Sequence, residues 1–201
     1  MKTYHSIPGP KYAPLGEECI AFLKYDGSNI RAEWNPKKGF CKFGSRNHMI
    51  DGQHEQFGDA VTLFQDKYAS QIEEIIRENY PKLDKATVFC EYFGPSSFAG
   101  LHNPNEEKEL RLFDVHINRR GILDPKVFLY QFGNLPFVAE EVYRGVLTEK
   151  YIEYVRTGPF DEGVVVKGGL GHRSWMIKIK TDAYKEKLKE KYAGNWEAFW
   201  E

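Results

Sequence analysis

No apolar run in the 201-residue chain approaches the roughly 20 residues that a membrane-spanning helix requires. Met1 to Tyr12 has no apolar core of signal-peptide length either. Cysteine is sparse. Cys19, Cys41 and Cys90 are odd in number and lack paired metal-ligand spacing, which argues against a disulfide framework or a zinc ribbon. They read as small buried hydrophobes of a reduced protein, so a cytoplasmic location and no membrane partner are expected. Neither charge sign dominates: 28 Lys and Arg against 29 Asp and Glu leave a net charge of −1. A polyanionic partner would therefore have to meet locally concentrated positive charge. Repeats and low-complexity tracts are missing too, and 41% hydrophobic with 28% charged residues is ordinary globular composition.

The periodicities that are present alternate between strand and helix. Cys19 to Leu23 reads as a buried strand with Lys24 at its exit, and Asp26-Gly27-Ser28 is turn chemistry. Ile30, Ala32 and Trp34 alternate with polar residues, which predicts a second strand leaving that turn. Gly39 to Gly44 is a further strand, closed by the polar turn Ser45-Arg46-Asn47. The spacing of Val61, Phe64, Tyr68, Ile72, Ile75 and Ile76 predicts one helix over 56–79, stopped by Pro81. Thr87 to Phe93 is mostly apolar and β-rich, a central strand that carries Glu91 inside it. A polar loop, Ser96 to Lys108, leads to a strand at Leu110 to Ile117. Short helices follow at Pro125 to Phe132 and at Thr148 to Arg156, the latter with Thr148 as its N-cap. Gly163 to Lys167 and Trp175 to Lys180 form a hairpin about Gly168-Gly169-Leu170-Gly171, and a last helix is predicted from Thr181 to about Trp200.

Polar groups recur at the strand ends: Lys24, Glu91, Glu162, Lys178 and Lys180, with Asp26, Arg46 and Asp114 as lesser members. Each alone is ordinary for a surface turn or a satisfied strand. Together, carboxylates and lysines carried on strands suit a phosphorylated ligand with a divalent ion, because Mg²⁺ takes one or two carboxylates plus phosphate oxygens. A lysine among other cations can also be activated as a nucleophile.

Lys24-Tyr25-Asp26-Gly27-Ser28-Asn29 resembles motif I of the covalent nucleotidyltransferases, the superfamily of ATP-dependent DNA ligases, RNA ligases and mRNA capping enzymes. Further motifs follow in order. Phe43-Gly44-Ser45-Arg46 is similar to motif Ia, Phe89 to Gly94 to motif III, Leu112 to Val115 to motif IIIa, Asp161 to Lys167 to motif IV, and Ile177 to Lys180 to motif V. The resemblance implies an α+β fold, two antiparallel β-sheets with flanking helices forming a nucleotide cleft, as in the ATP-grasp-like nucleotidyltransferase domain of ligases. It implies that Lys24 attacks the α-phosphate of ATP and holds AMP covalently. AMP then passes to a 5′-phosphate end, which a 3′-hydroxyl attacks.

Residue by residue, the resemblance assigns Asp26, Asn29, Arg46 and Glu91 to the nucleotide and Phe113 to stacking on its base. Lys178 and Lys180 are assigned to the α-phosphate, and Glu162 with Glu91 to Mg²⁺ or Mn²⁺. Phe22 and Leu23 offer no side-chain acceptor to the adenine amino group, so base choice would rest on backbone groups near Leu23. Asn29 closing motif I and Tyr4-His5-Ser6-Ile7 resemble the type-2 RNA ligases. The expected substrates are nicked or broken RNA or DNA ends. A small DNA or RNA/DNA hybrid nick ligase, a capping-type nucleotidyltransferase and a nucleotide-binding module remain alternatives.

The expected organisation is a single catalytic domain over 1–201, monomeric, with a helical tail at 182–201 and no OB-fold domain. On that expectation the positive run of the tail must help grip nucleic acid. Arg173, Lys185 and Lys189 are the candidates, the last two sharing one helix face. Changing both Lys185 and Lys189 to Ala should flatten the salt dependence of nick binding by about one unit of slope per lost phosphate contact. Titration in varied KCl checks this, and an unchanged slope would reduce the tail to a packing helix.

Overall fold

A computed structural model describes residues 1–200. In chain order the elements are β1 (Glu18–Lys24), β2 (Ser28–Asn35), β3 (Gly39–Ser45), β4 (Met49–Ile50), α1 (Gly58–Lys67), α2 (Ala69–Asn79), β5 (Ala86–Phe93), β6 (Glu109–Ile117), β7 (Gly121–Ile122), α3 (Pro125–Phe132), β8 (Glu141–Val146), α4 (Glu149–Thr157), β9 (Gly163–Gly168), β10 (Trp175–Lys180), α5 (Asp182–Tyr192) and α6 (Glu197–Trp200). They form two antiparallel sheets with flanking helices, an α+β fold. The chain divides into two compact units, one of Met1–His5 with Gly27–Val138, the other of Ser6–Asp26 with Ala139–Glu201.

The first unit holds a six-stranded sheet in the order β4-β3-β2-β5-β6-β7. The strand predicted around Glu91 lies inside it, between β2 and β6. Strand alternation puts Ile30, Ala32 and Trp34 on one face with Val88, Cys90, Leu112, Val115 and Ile117, all buried. Helices α1 and α2 cover this face with Phe64, Ile72 and Ile76, which are fully buried. Each large side chain so buried contributes on the order of 1.5–3 kcal/mol. The predicted helix over 56–79 is two helices. Tyr68 leaves helical geometry at φ −120° and ψ −33°, and its ring meets Phe137 edge-on at 4.4 Å. A tertiary contact at Tyr68 thus overrides a helical periodicity that runs straight through it.

The second unit holds a four-stranded sheet, β10-β9-β1-β8. One face is apolar: Cys19, Ala21, Val164, Val166, Ile177 and Ile179 pack with Tyr151, Ile152 and Val155 of α4. The opposite face carries Ile20, Phe22 and Lys24 of β1, Val165 and Lys167 of β9, and Lys178 and Lys180 of β10. The free edge of β10 meets the N-terminal segment, where Pro8 O accepts the Lys178 N–H at 2.9 Å. Thr148 and Thr181 cap α4 and α5, accepting the Tyr151 and Tyr184 amides at 3.1 and 3.0 Å. The last predicted helix is shorter than expected: α5 stops at Tyr192 because Ala193 takes φ 32° and ψ −95°. No helix among the described residues is long and apolar enough to cross a membrane.

The thiols give a check on this burial. Cys19 and Cys90 are buried and Cys41 is exposed. Burial pushes the Cys19 thiol up to about 11, and the Cys90 thiol is raised further by burial and the Glu91 carboxylate. Iodoacetamide at pH 8 should label Cys41 alone in the folded chain and all three after urea, read by peptide mass spectrometry. Equal labelling of Cys90 without urea would contradict the position of β5.

Candidate active site

The polar face of the four-stranded sheet is built around a missing side chain. Lys24 of β1 and Lys180 of β10 are both register partners of Gly163, which lies between them on β9. A Cβ on Gly163 would fall 2.0 Å from Ile179 O, and its φ is +146°, so the position admits only glycine. Glu162, one residue earlier, spans the row. Lys24 Nζ donates to Glu162 Oε2 at 2.6 Å, and Lys180 Nζ lies 3.2 Å from Oε1. Glu162 is 3% exposed and Lys180 8%. A carboxylate this deep is expensive unless paired, and both oxygens have an ammonium partner.

Lys180 has further neighbours. It donates to Phe199 O at 2.8 Å, and its ammonium stands 5.2 Å from the centre of the Tyr184 ring. Burial lowers its pKa below the usual lysine value; Glu162 opposes that shift and Lys24 adds to it. Tyr184, 3% exposed, also hydrogen-bonds Asp26 of the turn after β1, and its hydroxyl pKa is raised by burial first and by Glu162 and Asp26 next. Of the residues expected in this unit, the structure therefore joins Lys24, Glu162 and Lys180, with Asp26 tied in through Tyr184. Lys178 lies one row away on the same face, opposite Val165. Leu23 donates its N–H to Glu140 O at 2.8 Å. Arg173 is exposed in the β9–β10 turn, at the far end of the hairpin from Lys180. Lys185 and Lys189 lie over Trp196 at 5.3 and 5.4 Å.

Lys167 was not singled out from the sequence, yet it is 2% exposed with its Nζ 4.9 Å from the centre of the Phe22 ring. The signal was available. Lys167 is two residues beyond Val165 on β9, so it shares the lysine face.

The first unit carries its own set of predicted residues on the face of its sheet away from the helices. Asn29 pairs with Glu91, and Glu91 with Arg111, across β2, β5 and β6. The carboxylate expected inside a buried strand is half-buried, whereas Asp114, given less weight, is 1% exposed. The reason is a β-bulge. Cys90 pairs with Leu112 but Phe89 pairs with Asp114, so Phe113 is the extra residue and the two adjacent side chains leave on one face. Tyr4 donates a hydrogen bond to Asp114, and its ring is edge-on to Phe89 at 4.9 Å and to Phe113 at 5.1 Å. Burial and the Asp114 charge raise the Tyr4 pKa. Asn29 Oδ1 is buried with no hydrogen-bond partner among the described residues. Arg46 is exposed on the turn after β3. His102, another residue missed in the sequence, bridges Ser28 Oγ at 2.9 Å and Ser97 Oγ at 3.0 Å. No group of three or more His, Cys, Asp or Glu able to hold a metal occurs among the described residues.

The two-sheet α+β fold is similar to that of solved RNA ligases. A lysine-to-alanine variant of the Naegleria gruberi RNA ligase, solved with ATP and Mn, matches with a TM-score of 0.66 at 17% identity, over 93% of this chain and 58% of that one. An aspartate-to-alanine variant of the same ligase without ligand matches with TM-score 0.66 at 17% identity, over 94% and 58%. A third variant, with AMP and Mn, gives 0.66 at 16% identity, over 93% and 58%. The chain thus spans 58% of the length of these structures. Residues 17–180 match the family model described as RNA ligase, and the chain belongs to the RNA ligase family. No curated protein matches it significantly.

The row Lys24–Gly163–Lys180 yields a test of the fold at the site. Gly163→Ala must push a methyl into the β10 backbone. We expect a loss of about 2–4 kcal/mol in urea unfolding, against less than about 1 kcal/mol for Gly9→Ala, where nothing lies within 4 Å. Equal stability of the two variants would contradict the register.

Proposed function

We propose that this chain is an ATP-dependent polynucleotide ligase of RNA-ligase type, with Lys24 as its nucleophile. The observation that carries the reading is the Lys24–Glu162–Lys180 row, with its carboxylate buried. In the first step the Lys24 Nζ lone pair forms a bond to the α-phosphorus of ATP. The bond from that phosphorus to the bridging oxygen breaks, and pyrophosphate leaves. The amine must shed a proton to attack, and Glu162 Oε2 at 2.6 Å is an acceptor within reach. Lys180, and Lys178 on the same face, neutralise the charge that builds on the phosphoryl oxygens. In the second step a 5′-phosphate oxygen attacks the lysine-bound phosphorus and the P–N bond breaks. In the third a 3′-hydroxyl attacks the activated end and AMP leaves.

A divalent ion fits the donor set only as one that arrives with the triphosphate. Glu162 is the carboxylate that would hold it, and its oxygens are otherwise shared between two ammonium groups. Mg²⁺ or Mn²⁺ would there draw charge from the phosphate oxygens. On this reading Asn29, Arg46 and Glu91 hold the nucleotide and Phe113 stacks on its base. The bulge at Phe113 and the buried Oδ1 of Asn29 support those roles. Family membership and the neighbours solved with ATP, AMP and Mn support the reaction class.

Incubation with ATP and Mg²⁺ should add the mass of AMP to the intact chain. Lys24→Ala should gain none, and Lys24→Arg should fail as well because a guanidinium stays protonated. Glu162→Gln should adenylate at least about 10²-fold more slowly, the scale of a lost acid–base group. Labelling of Lys24→Ala at the wild-type level would place the nucleophile elsewhere. GTP run in parallel, then all-RNA, hybrid and all-DNA nicks, separates capping and DNA-sealing chemistry from RNA joining.

A further inference from the structure

Lys180 is held by the chain in a way the reaction cannot use. Its ammonium bonds a buried carboxylate of its own sheet, Glu162, and a backbone carbonyl from the segment after α5, Phe199 O at 2.8 Å. The Trp200 ring centre lies 5.7 Å from the same ammonium. With Lys180 only 8% exposed, little water reaches the group, so the carbonyl oxygen takes a site that a phosphoryl oxygen would need.

We propose that the segment from Ala193 to Trp200 is an autoinhibitory strap: Phe199 O stands in for a phosphoryl oxygen on Lys180 and is displaced when a polyphosphate binds. This rests on the assignment of Lys180 to phosphate made above. The build of the segment fits a strap. It contributes no buried residue. Among the described residues its side-chain attachments include a stack of Phe199 on Tyr192 at 4.1 Å and cation–ring contacts of Trp196 and Trp200 with Lys180, Lys185 and Lys189. It pivots at Ala193, whose φ of 32° is unfavourable for a residue with a Cβ, followed by Gly194. Few buried contacts and a strained pivot put such a segment at the low end of local stability. The sheet-borne Glu162 contact is charged and buried, so the neutral carbonyl is the partner that yields.

Displacement has a quantitative signature. A ligand that binds only the open form shows an affinity reduced by the open fraction. The variant Phe199→Ala with Trp200→Ala loses the ring contacts but keeps the sheet and the nucleophile. Its apparent Kd for inorganic pyrophosphate and for ATP should fall about three- to tenfold relative to the parent chain. In the parent, saturating pyrophosphate should speed amide exchange over 193–200 while β9 and β10 stay protected. Lys180→Met should speed exchange over 193–200 with no ligand present. Unchanged affinity in the double variant, or unchanged exchange with pyrophosphate bound, overturns the strap. If neither chain binds either polyphosphate, both the strap and the phosphate role of Lys180 fall. If both bind and the strap opens while no AMP adduct forms, the strap stands and only the nucleotidyl-transfer reading fails.

Discussion

A carboxylate shut between two ammonium groups is the constraint on which the second unit depends. Removing one partner of such a buried pair typically costs about 3–5 kcal/mol, because the remaining charge stays desolvated. Glu162 therefore pins the end of β1, through Lys24, to the end of β10, through Lys180. The same residue reaches further through its backbone. Its carbonyl accepts the Thr181 amide at 3.0 Å, and Thr181 in turn caps α5. Helix α5 then returns Tyr184 to Asp26, two residues beyond Lys24. One acidic residue thus sets the amine, the second cation and the turn between β1 and β2. None of it would close without Gly163, where three strands meet with no side chain between the lysines.

The first unit solves a different problem. A strand puts alternate side chains on opposite faces, so an aromatic residue and its acidic neighbour cannot normally share one. The bulge at Phe113 breaks that rule once, and Tyr4 spans the result, bonding Asp114 and bracing Phe113 edge-on. The remainder of the Met1–His5 arm follows the same polar face. Lys2 O accepts from Arg31 at 3.1 Å, and the Met1 amine pairs with Glu33 at 3.4 Å.

Most of this architecture was legible because period and punctuation agreed. Pro125 to Phe132 and Thr148 onward carry their own start signals, and both helices form where those signals stand. The motif lysines and acids were legible from their order along the chain. What was hidden is whatever depends on partners far away in sequence. The break at Tyr68 answers to Phe137, and the bulge at Phe113 to the register of β5. Strand β8 escaped because Glu141 to Val146 is short, its charged residues Glu141 and Arg144 fall three apart instead of alternating, and Gly145 interrupts it. The carbonyl on Lys180 belongs to no local pattern at all.

The threading of the two units bears on how the chain is made. Strand β1 lies inside its sheet, bonded to β8 on one side and β9 on the other. Synthesis proceeds from the N-terminus, so Cys19 to Phe22 emerge long before Glu141 and Gly163 exist to cover them. The six-stranded sheet needs only residues from the arm and from Gly27 to Val138. It can close while β1 is still waiting, an apolar strand with two unpaired edges, and such edges invite pairing with other chains. The strand that bears Lys24 is therefore also the one most exposed to misassembly on the ribosome.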